Sequence, residues 1–177
     1  LPFPAGERWW LTGGPHGGWG EGSALAAIDL VPDEAERGCF ASSRWATAVA
    51  DGVVAATGPG QVWLDLDGDG DRRTGPVVLY LHLAEDGRAP LGARLKAGDR
   101  VGRPSCEGGF SNATHLHLAR LHDGEWLAAD GAAPMELGGW RVFGAGTSYD
   151  GGLSRAGGDR RDACECRQEG VNDVSAP

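Results

Sequence analysis

Apolar and polar residues alternate in several short stretches of the chain, a pattern that predicts β-strands. In the clearest stretch, residues 76–83, every second residue is apolar and faces one way: Val77, Leu79, Leu81 and Leu83. Further strands are predicted over 24–30, 61–66 and 114–120. A hairpin is predicted over 45–57, with Asp51 and Gly52 in its turn. The periodicity therefore predicts an all-β fold of short antiparallel strands.

Glycine-rich segments separate the predicted strands. Residues 1–24 are predicted to be mostly loop, and glycines flank His16 in this segment. Because glycine permits backbone angles closed to other residues, we expect a flexible rim over a site here. From about residue 151 the chain becomes polar and rich in Gly, Arg and Asp. The sequence thus predicts a β domain over 1–150 and a polar C-terminal tail over 151–177, anchored only by Cys164 and Cys166.

The composition fits this fold and limits the function. The 177 residues include 31 glycines and 10 prolines, as expected of short strands joined by tight turns. A net charge of −9 argues against nucleic-acid binding, which depends on Lys and Arg contacts to phosphates. It argues equally against electrostatic adhesion to anionic membranes or wall polymers. No apolar run approaches the ~20 residues of a transmembrane helix, and the start at Leu1 is as expected of a processed chain.

Four of the five histidines and one aspartate form a candidate site, which consists of His16, Asp29, His82, His115 and His117. Asp29 and three of these histidines alternate with aliphatic residues that we place in the core. Their side chains should therefore share the opposite strand faces, with the histidine of the glycine-rich segment lying over them. Only His122, beside a predicted turn, falls outside the set. Sorting of this kind is typical of a metal or acid–base site.

The residue types in this set fit zinc catalysis. A catalytic zinc ion needs three protein ligands and an open position for water, and two imidazoles with one carboxylate meet that requirement. Because the set has five members, two residues are left for proton transfer and transition-state stabilisation. The sequence contains no H-E-x-x-H, which excludes the helical design with a glutamate base. We therefore expect an imidazole to transfer the proton.

Alternating aspartates suggest a second cation site, made of Asp65, Asp67, Asp69 and Asp71. With Gly70 at the sixth position, they match the first half of an EF-hand calcium loop. The glutamate expected at the twelfth position is missing, because Pro76 stands there. Ca²⁺ is thus an alternative, and a solvated β-turn is the favoured interpretation.

The four cysteines allow three pairings, and their even number fits an oxidising compartment. A zinc site built from four thiolates is the alternative. The paired C-x2-C spacing of such sites is missing, so we favour disulfides.

Six short blocks, taken in order and spacing, resemble the lysostaphin/LytM-type zinc metalloendopeptidases, peptidoglycan hydrolases that include the β-lytic enzymes and staphylolysin. The blocks are 14–16 (Gly-Pro-His), 27–29 (Ala-Ile-Asp), 50–54 (Ala-Asp-Gly-Val-Val), 79–83 (Leu-Tyr-Leu-His-Leu), 96–102 (Lys-Ala-Gly-Asp-Arg-Val-Gly) and 115–118 (His-Leu-His-Leu). The resemblance spans about residues 13–129. The separation of 13 positions between His16 and Asp29 (29 − 16) resembles that of the β-lytic branch.

The resemblance implies a role for each residue of the site. Zinc would be bound by His16, Asp29 and His117. His82 and His115 would be the catalytic histidines, one acting as general base and the other stabilising the oxyanion, with the assignment left open. In some relatives a tyrosine donates a hydrogen bond to the intermediate, and Tyr149 loosely resembles it.

The resemblance also implies a fold and a disulfide pattern. The family fold is an antiparallel β-sheet or sandwich of duplicated hairpins, in which long loops frame a narrow groove. Relatives of the β-lytic branch carry a bridged cysteine at the position of Cys106, so we expect a Cys39–Cys106 bond and a second bond between Cys164 and Cys166. We accordingly expect a secreted or cell-envelope protein, and a monomer.

The implied function is zinc-dependent hydrolysis of peptide cross-links in bacterial peptidoglycan or of glycine-rich peptides, because a narrow groove lined by glycine loops suits small residues. The alternative is a non-catalytic cell-wall-binding or regulatory module on the same fold. Such relatives usually lack one or more of the five site residues, all of which are present here. A lipoyl-type carrier would need a lysine at a hairpin tip, where Lys96 fits poorly, and a calcium-stabilised adhesin would depend on the aspartates alone.

Overall fold

Fifteen β-strands make up the regular structure of the computed structural model, which describes residues 1–20 and 23–175. The strands are β1 (Arg8–His16), β2 (Ala27–Pro32), β3 (Ala46–Thr47), β4 (Gly52–Gly58), β5 (Gln61–Asp65), β6 (Pro76–Leu81), β7 (Arg94–Leu95), β8 (Arg100–Gly102), β9 (Leu116–His122), β10 (Glu125–Trp126), β11 (Glu136–Leu137), β12 (Trp140–Gly144), β13 (Gly151–Arg155), β14 (Arg160–Asp162) and β15 (Asp173–Ser175). The described residues form no helix that could cross a membrane. The predicted all-β class is confirmed.

The largest sheet has nine strands and carries the site. Its order is β15-β1-β2-β9-β6-β5-β4-β7, with β10 paired to β9, and every pairing is antiparallel. Two smaller sheets have the orders β11-β12-β13-β14 and β3-β8. The central strands β2, β9 and β6 are neighbours in space although they are distant in sequence, and β5 pairs with the strand that follows it, β6. Residues from four separate segments therefore share one face.

Both faces of the central strands are buried. Residues opposite each other on paired strands share a face, and one such row in the main core is Ile28, Leu118, Tyr80 and Val62. The neighbouring row packs in a second cluster on the other face and consists of Ala27, Ala119, Leu79 and Trp63. Asp29, His117 and Leu81 continue this second face, because each lies two residues from a member of that row. The site thus lies where the second apolar face becomes polar.

The predicted faces of β6 are wrong. Its alternation suggested that Val77 and Leu79 enter the main core, whereas the structure places Val78 and Tyr80 there. A strand that is buried on both faces has no polar side to reveal its orientation. A regular continuation of β6 would therefore direct His82 toward the main core, away from Asp29.

The loop predicted over residues 1–24 is also corrected. Nine of its residues form the strand β1, which pairs with β2 on one side and with β15 on the other. Trp9 and Leu11 are fully buried in the main core, which accounts for the strand in spite of the glycines that follow. Two residues of the predicted loop, 21 and 22, lie outside the described part of the chain.

The hairpin predicted over 45–57 does not form. Strand β3 pairs with β8, and β4 pairs with β5 and β7. Asp51, expected in the hairpin turn, accepts hydrogen bonds from Lys96 Nζ at 2.7 Å and from the backbone nitrogen of Ala97 at 2.9 Å. Asp51 therefore stabilises a neighbouring turn. Alternation locates the strands here but does not specify their partners.

The segment after residue 150 is more firmly held than a tail anchored by two cysteines. It contributes β13 and β14 to the four-stranded sheet, and β15 pairs with β1. Leu153 and Val174 are fully buried in the main core. The expected Cys164–Cys166 disulfide is present as well. Anchoring through strand pairing corrects the expectation, while the division of the chain at residue 150 stays a prediction; its last two residues, 176 and 177, are not described.

Candidate metal centre

Strands β2 and β9 place Asp29 and His117 directly opposite each other. On the other side of β2, Gly13 of β1 lies opposite Asp29. A Cβ atom at position 13 would come within 2.9 Å of Asp29 Oδ2, so glycine leaves the space that the carboxylate occupies. Strand pairing thus brings an imidazole and a carboxylate together, whereas the alternation in the sequence predicts only the strand face on which each lies.

Strand β1 brings His16 to the same point through an irregularity. Its register with β2 shifts between Gly13 and His16, as in a β-bulge, which changes the direction of a side chain. His16 is buried, and its Nε2 lies 3.3 Å from Asp29 Oδ1 and 3.1 Å from His117 Nδ1. The third distance, from His117 Nδ1 to Asp29 Oδ1, is 3.2 Å. We refer to His16, Asp29 and His117 as the donor set.

The proton positions on both imidazoles of the donor set are fixed by backbone carbonyl groups. His16 Nδ1 donates to the oxygen of Gly14 at 2.8 Å, and His117 Nε2 donates to the oxygen of Gly18 at 2.5 Å. In the neutral form of each ring the opposite nitrogen therefore carries a lone pair, and these lone pairs face each other and Asp29. Such an arrangement is repulsive without a cation. Orientation by carbonyl partners is also typical of metal-binding histidines.

His82 reaches the site through an unusual backbone conformation. It follows the last residue of β6, and its φ of 63° lies in the left-handed region. This turn takes its side chain out of the strand alternation, so that its ring centroid lies 4.5 Å from that of His115 and 6.1 Å from that of His117. Its Nδ1 donates to the oxygen of Glu107 at 2.8 Å. Holding a residue other than glycine in this region costs on the order of 1–3 kcal/mol, and such residues cluster at functional sites.

His115 precedes β9 and shares a face with His117, two positions further on. Its Nδ1 donates to the oxygen of Ala113 at 2.8 Å, and its Nε2 lies 3.6 Å from Asp29 Oδ1. The loop before it is tied down by the expected Cys39–Cys106 disulfide, with a Cα–Cα distance of 5.6 Å. All four imidazoles of the site therefore use one ring nitrogen for a backbone carbonyl and direct the other toward their neighbours.

Charge in the site is set by burial and by close contacts. Burial would raise the pKa of Asp29, but the neighbouring His117 and His16 outweigh it and hold that pKa well below its ordinary value. Burial likewise opposes the charged form of His16, yet Asp29 raises its pKa. Burial, assisted by repulsion from His115, lowers the pKa of His82 to about 4. At neutral pH the site thus combines a charged carboxylate with a neutral His82.

Tyr149 lies against the donor set, as the loose resemblance suggests. Its ring stacks on that of His16 with centroids 4.2 Å apart and planes inclined by 17°. The backbone N–H of Gly14 donates to the backbone carbonyl oxygen of Tyr149 at 2.8 Å. The backbone N–H of Tyr149 donates in turn to the carbonyl oxygen of Pro15 at 3.0 Å. Burial and the nearby Asp29 raise the pKa of Tyr149, so its hydroxyl keeps its proton at neutral pH. Tyr149 can therefore donate a hydrogen bond beside the donor set.

A groove of about 910 Å³ opens over these residues. Its lining includes the four histidines, Asp29 and Tyr149, together with Trp19 on one loop and Phe110 on another. Phe110 is 94% exposed, which is unusual for so large an apolar side chain. The groove thus joins polar groups that can perform chemistry to exposed aromatic rings that can contact an extended ligand.

The predicted aspartate loop, residues 65–71, comes together only in part. Oxygen atoms of Asp65, Asp67 and Asp69 lie within 4.8 Å of one another. Asp71 does not join them, because it pairs with Arg73 at 2.7 Å, which lowers its pKa to about 2. Both oxygens of the buried Asp65 accept hydrogen bonds from backbone N–H groups of the same loop, at 3.0 and 2.7 Å. These contacts agree with the favoured interpretation, a turn stabilised by its own aspartates.

Several groups that shape the site carry no signal in the sequence analysis. They are the carbonyl oxygens of Gly14, Gly18, Glu107 and Ala113, and the space left by Gly13. Any residue type supplies a carbonyl group, so these contacts cannot be inferred from residue identity. The glycines near His16 were the one available indication, and we interpreted them as flexibility.

The antiparallel sheet with the site at its polar end is a fold that a solved M23 metalloprotease shares. The structure of pseudoalterin, described as a novel M23 metalloprotease from the deep sea, superimposes with a TM-score of 0.73. The two sequences are 22% identical, and the match covers 92% of this chain and 93% of that one. The predicted resemblance is thereby confirmed at the level of the fold.

Two other solved structures are more distant. The catalytic domain of lysostaphin from Staphylococcus simulans gives a TM-score of 0.43 at 20% identity, over 70% of this chain and 89% of that one. LytU gives 0.42 at 21% identity, over 73% and 86% of the respective chains. No family model matches the sequence, and no curated protein matches it either.

Proposed function

We propose that this protein is a zinc-dependent endopeptidase, with His16, Asp29 and His117 as the zinc ligands. The observation that carries the proposal is the convergence of two imidazole lone pairs and one carboxylate oxygen, with edges of 3.1, 3.2 and 3.3 Å. Tetrahedral zinc with bonds of ~2.0–2.1 Å has ligand atoms about 3.3 Å apart. The donor set therefore has the spacing that three zinc ligands need.

The chemistry of the donor set supports the same assignment. Asp29 Oδ1 is buried, and none of the described residues gives it a hydrogen bond. Buried carboxylate oxygens are normally paired, so an unpartnered one marks a place for a cation. Two nitrogen ligands and one oxygen ligand suit zinc, whereas calcium and magnesium prefer oxygen alone. Zinc held there would polarise a substrate carbonyl group and activate a water molecule.

His82 and His115 would move the proton in this reaction. The Nδ1 atom of each ring is bound to a backbone carbonyl, so each Nε2 is the atom that can exchange a proton. With ring centroids 4.5 Å apart, the two can serve one reacting group, one by accepting a proton and the other by donating a hydrogen bond. Tyr149 would add a second donor beside His16.

For the substrate we propose peptides rich in glycine, including peptide cross-links of bacterial peptidoglycan. Glycine loops supply part of the groove wall, at 17–18 and 20, and bring backbone close to the donor set. The fold shared with pseudoalterin, an M23 metalloprotease, supports peptide-bond hydrolysis. The two disulfides support a location outside the cytoplasm, where such bonds persist.

The left-handed conformation of His82 favours an enzyme over a binding module on the same fold. A wall-binding module has no use for an imidazole held in a conformation that costs on the order of 1–3 kcal/mol. Asparagine or glycine would adopt the same φ more readily. The presence of a histidine in this conformation supports a chemical role for the ring.

Zinc content and peptide cleavage, measured together, test this proposal. Protein freed of metal and reloaded with zinc should bind one ion per chain and cleave a pentaglycine-type peptide, with both properties lost on treatment with a chelator. His122→Ala is the matched control, because His122 is exposed and lies outside the site beside Asp123. A protein that binds zinc tightly but cleaves no peptide would instead support the binding module.

A further inference from the structure

Two arginines converge at the rim of the groove. Arg37 Nη1 donates to the backbone oxygen of Glu34 at 2.7 Å, and Arg167 Nη1 donates to the same oxygen at 2.6 Å, so the two nitrogens lie within about 5.3 Å of each other. Both arginines line the groove that contains the donor set. In a chain of net charge −9, two adjacent positive charges on one groove wall are an exception that needs a reason.

Neither guanidinium has an ion-pair partner within the described part of the chain. The nearby carboxylates are bound elsewhere: Asp33 to Arg8 and Trp10, and Glu34 to Ser42 and Ser43. Glu165 lines the same groove but lies more than 4 Å from both guanidinium groups, as the ion pairs show. Burial, and then repulsion from Arg37, lowers the pKa of Arg167, and the attraction of Asp33 and Glu34 offsets this only in part. The pair is therefore under like-charge repulsion that an anion would relieve.

Each guanidinium also keeps donors free. Arg37 uses Nη1 for three backbone oxygens, those of residues 34–36, and Arg167 uses Nη1 for one. The remaining nitrogens, Nε and Nη2 of both side chains, have no acceptor among the described residues. A guanidinium presents these N–H groups as a planar fork, which matches the two oxygens of a carboxylate.

The two disulfides hold the loops that carry these arginines. Arg37 lies two residues before Cys39, which is bonded to Cys106, and Arg167 directly follows Cys166, which is bonded to Cys164. The second loop is held further by Asn172, a fully buried side chain that donates to the oxygens of Leu11, Cys164 and Cys166. Fixed positions lower the entropy that a binding group loses when it engages a ligand.

We propose that Arg37 and Arg167 form a subsite for a carboxylate group of the peptide substrate. This inference rests on the proposed peptidase function and adds a substrate class to it: a peptide that carries a negative charge at a fixed distance from the bond that is cut. The carboxylate comes from an acidic side chain or from a free C-terminus, which present the same two oxygens. Recognition at this subsite acts on binding, so it changes KM more than kcat.

Matched pairs of glycine-based peptides test the subsite on the zinc-loaded protein. In one series a single glutamate or glutamine is moved along the peptide, and in the other the C-terminus is a free acid or an amide. We expect one position at which the charged peptide has a KM about 10-fold below that of its neutral twin, the scale of a partly exposed charge-assisted hydrogen bond. The series in which the preference occurs identifies the source of the carboxylate.

Substitution of the arginines then tests whether Arg37 and Arg167 cause the preference for the charged peptide. Arg37→Gln and Arg167→Gln should each raise the ratio of charged to neutral KM from about 0.1 toward one, because the charged peptide loses binding that the neutral peptide never had. Arg94→Gln removes an equal charge from an exposed strand that is not part of this groove and should keep the ratio. If Arg167→Gln disturbs folding, both peptides of a pair will suffer alike, and the exposed Arg37 still provides the test.

Two results would overturn the subsite: no difference between charged and neutral peptides at any position, or a difference that survives both substitutions. The proposed peptidase is judged separately, by cleavage of the neutral peptides. If none of the peptides is cleaved, the dissociation constants of the same pairs, measured by fluorescence anisotropy, decide the carboxylate preference. The failure of one proposal is thereby distinguishable from the failure of the other.

Discussion

Within the described residues, two groups bring potential metal ligands within reach of one another, and their surroundings differ. In the donor set, every non-ligating imidazole nitrogen is bound to a carbonyl, and the lone pairs converge on an oxygen of Asp29 that has no other partner in the described structure. In the aspartate loop, the carboxylates accept hydrogen bonds from their own backbone, and Asp69 also accepts one from Thr74.

The comparison shows that closeness of ligand types is a weak criterion for a metal site. What separates the two groups is whether the ligand atoms are already satisfied. The oxygens of Asp65 would have to give up hydrogen bonds to bind a cation, whereas Asp29 Oδ1 has none to give up. We therefore expect the donor set to bind a cation, and we expect no cation that measurably stabilises the protein at the aspartate loop.

The largest effect is expected from removal of a ligand in the donor set. His117→Ala should lose zinc and activity together, with a fall of at least about 10³-fold, the scale of several kcal/mol of lost transition-state stabilisation. Metal analysis of the purified variant and cleavage of a pentaglycine-type peptide measure the two properties. Retention of one zinc per chain by His117→Ala would contradict the ligand assignment.

The second largest effect is expected from His115→Ala, which separates the loss of proton transfer from the loss of metal binding. His115→Ala should keep its zinc and lose at least ~10²-fold in rate, the usual scale for a general acid or base. Zinc content and kcat, compared with those of His122→Ala, measure the difference. Loss of zinc by this variant would show that His115 is a ligand, and an unchanged rate would remove it from the mechanism.

A smaller effect is expected from the carbonyl group that orients His117. A Cβ atom at Gly18 would lie 2.4 Å from the ring of Trp126, so Gly18→Ala should displace the segment whose oxygen accepts the proton of His117 Nε2. Outer-shell partners of this kind typically contribute 10–100-fold to metal affinity, and we expect a loss on about that scale. A competition titration with a chromogenic chelator measures it.

The control for this substitution is Gly58→Ala, on β4, which pairs with none of the strands that carry the donor set. Its added Cβ would meet no atom closer than 3.5 Å. We expect its zinc affinity to equal that of the unmodified protein. Equal affinity in Gly18→Ala as well would show that the Gly18 carbonyl does not orient the ligand.

The smallest effect is expected at the aspartate loop. Calcium at about 1 mM, the range in which extracellular modules bind it, should change the Tm by less than about 1 °C, since only a bound ligand stabilises the folded state. Asp69→Asn should leave zinc content and peptide cleavage as they are. A calcium-dependent rise of several degrees that is lost in Asp69→Asn would reverse the distinction between the two groups.

For the parts of the site on regular strands, the sequence predicts the strand face of each residue but not which strands pair. Alternation places Asp29 between Ile28 and Leu30, and His117 between Leu116 and Leu118, and antiparallel pairing then sets the two opposite each other. The cysteine bond to Cys106 was also anticipated, from the resemblance. The strand faces depend on local alternation, and the disulfide was expected from the resemblance of several blocks taken together. Both signals are visible in a sequence.

What could not be predicted depends on irregular backbone and on contacts made by carbonyl groups. His82 was expected in the site for the wrong reason, because the regular alternation of β6 directs it to the main core and only its φ of 63° brings it back. The strand β1 was missed because its glycines resemble a loop. The convergence of Arg37 and Arg167 on Glu34 links loops more than a hundred residues apart, and no local pattern reports it.

X-ray absorption at the zinc edge, on protein loaded with one equivalent of zinc, tests the central claim most directly. The account predicts a first shell of two imidazole nitrogens and at least one carboxylate oxygen at about 2.0–2.1 Å, with no sulfur. In His117→Ala, the spectrum should show one imidazole nitrogen fewer around zinc, or the protein should no longer bind zinc. A first shell that contains sulfur, or one that is unchanged in His117→Ala, would contradict it.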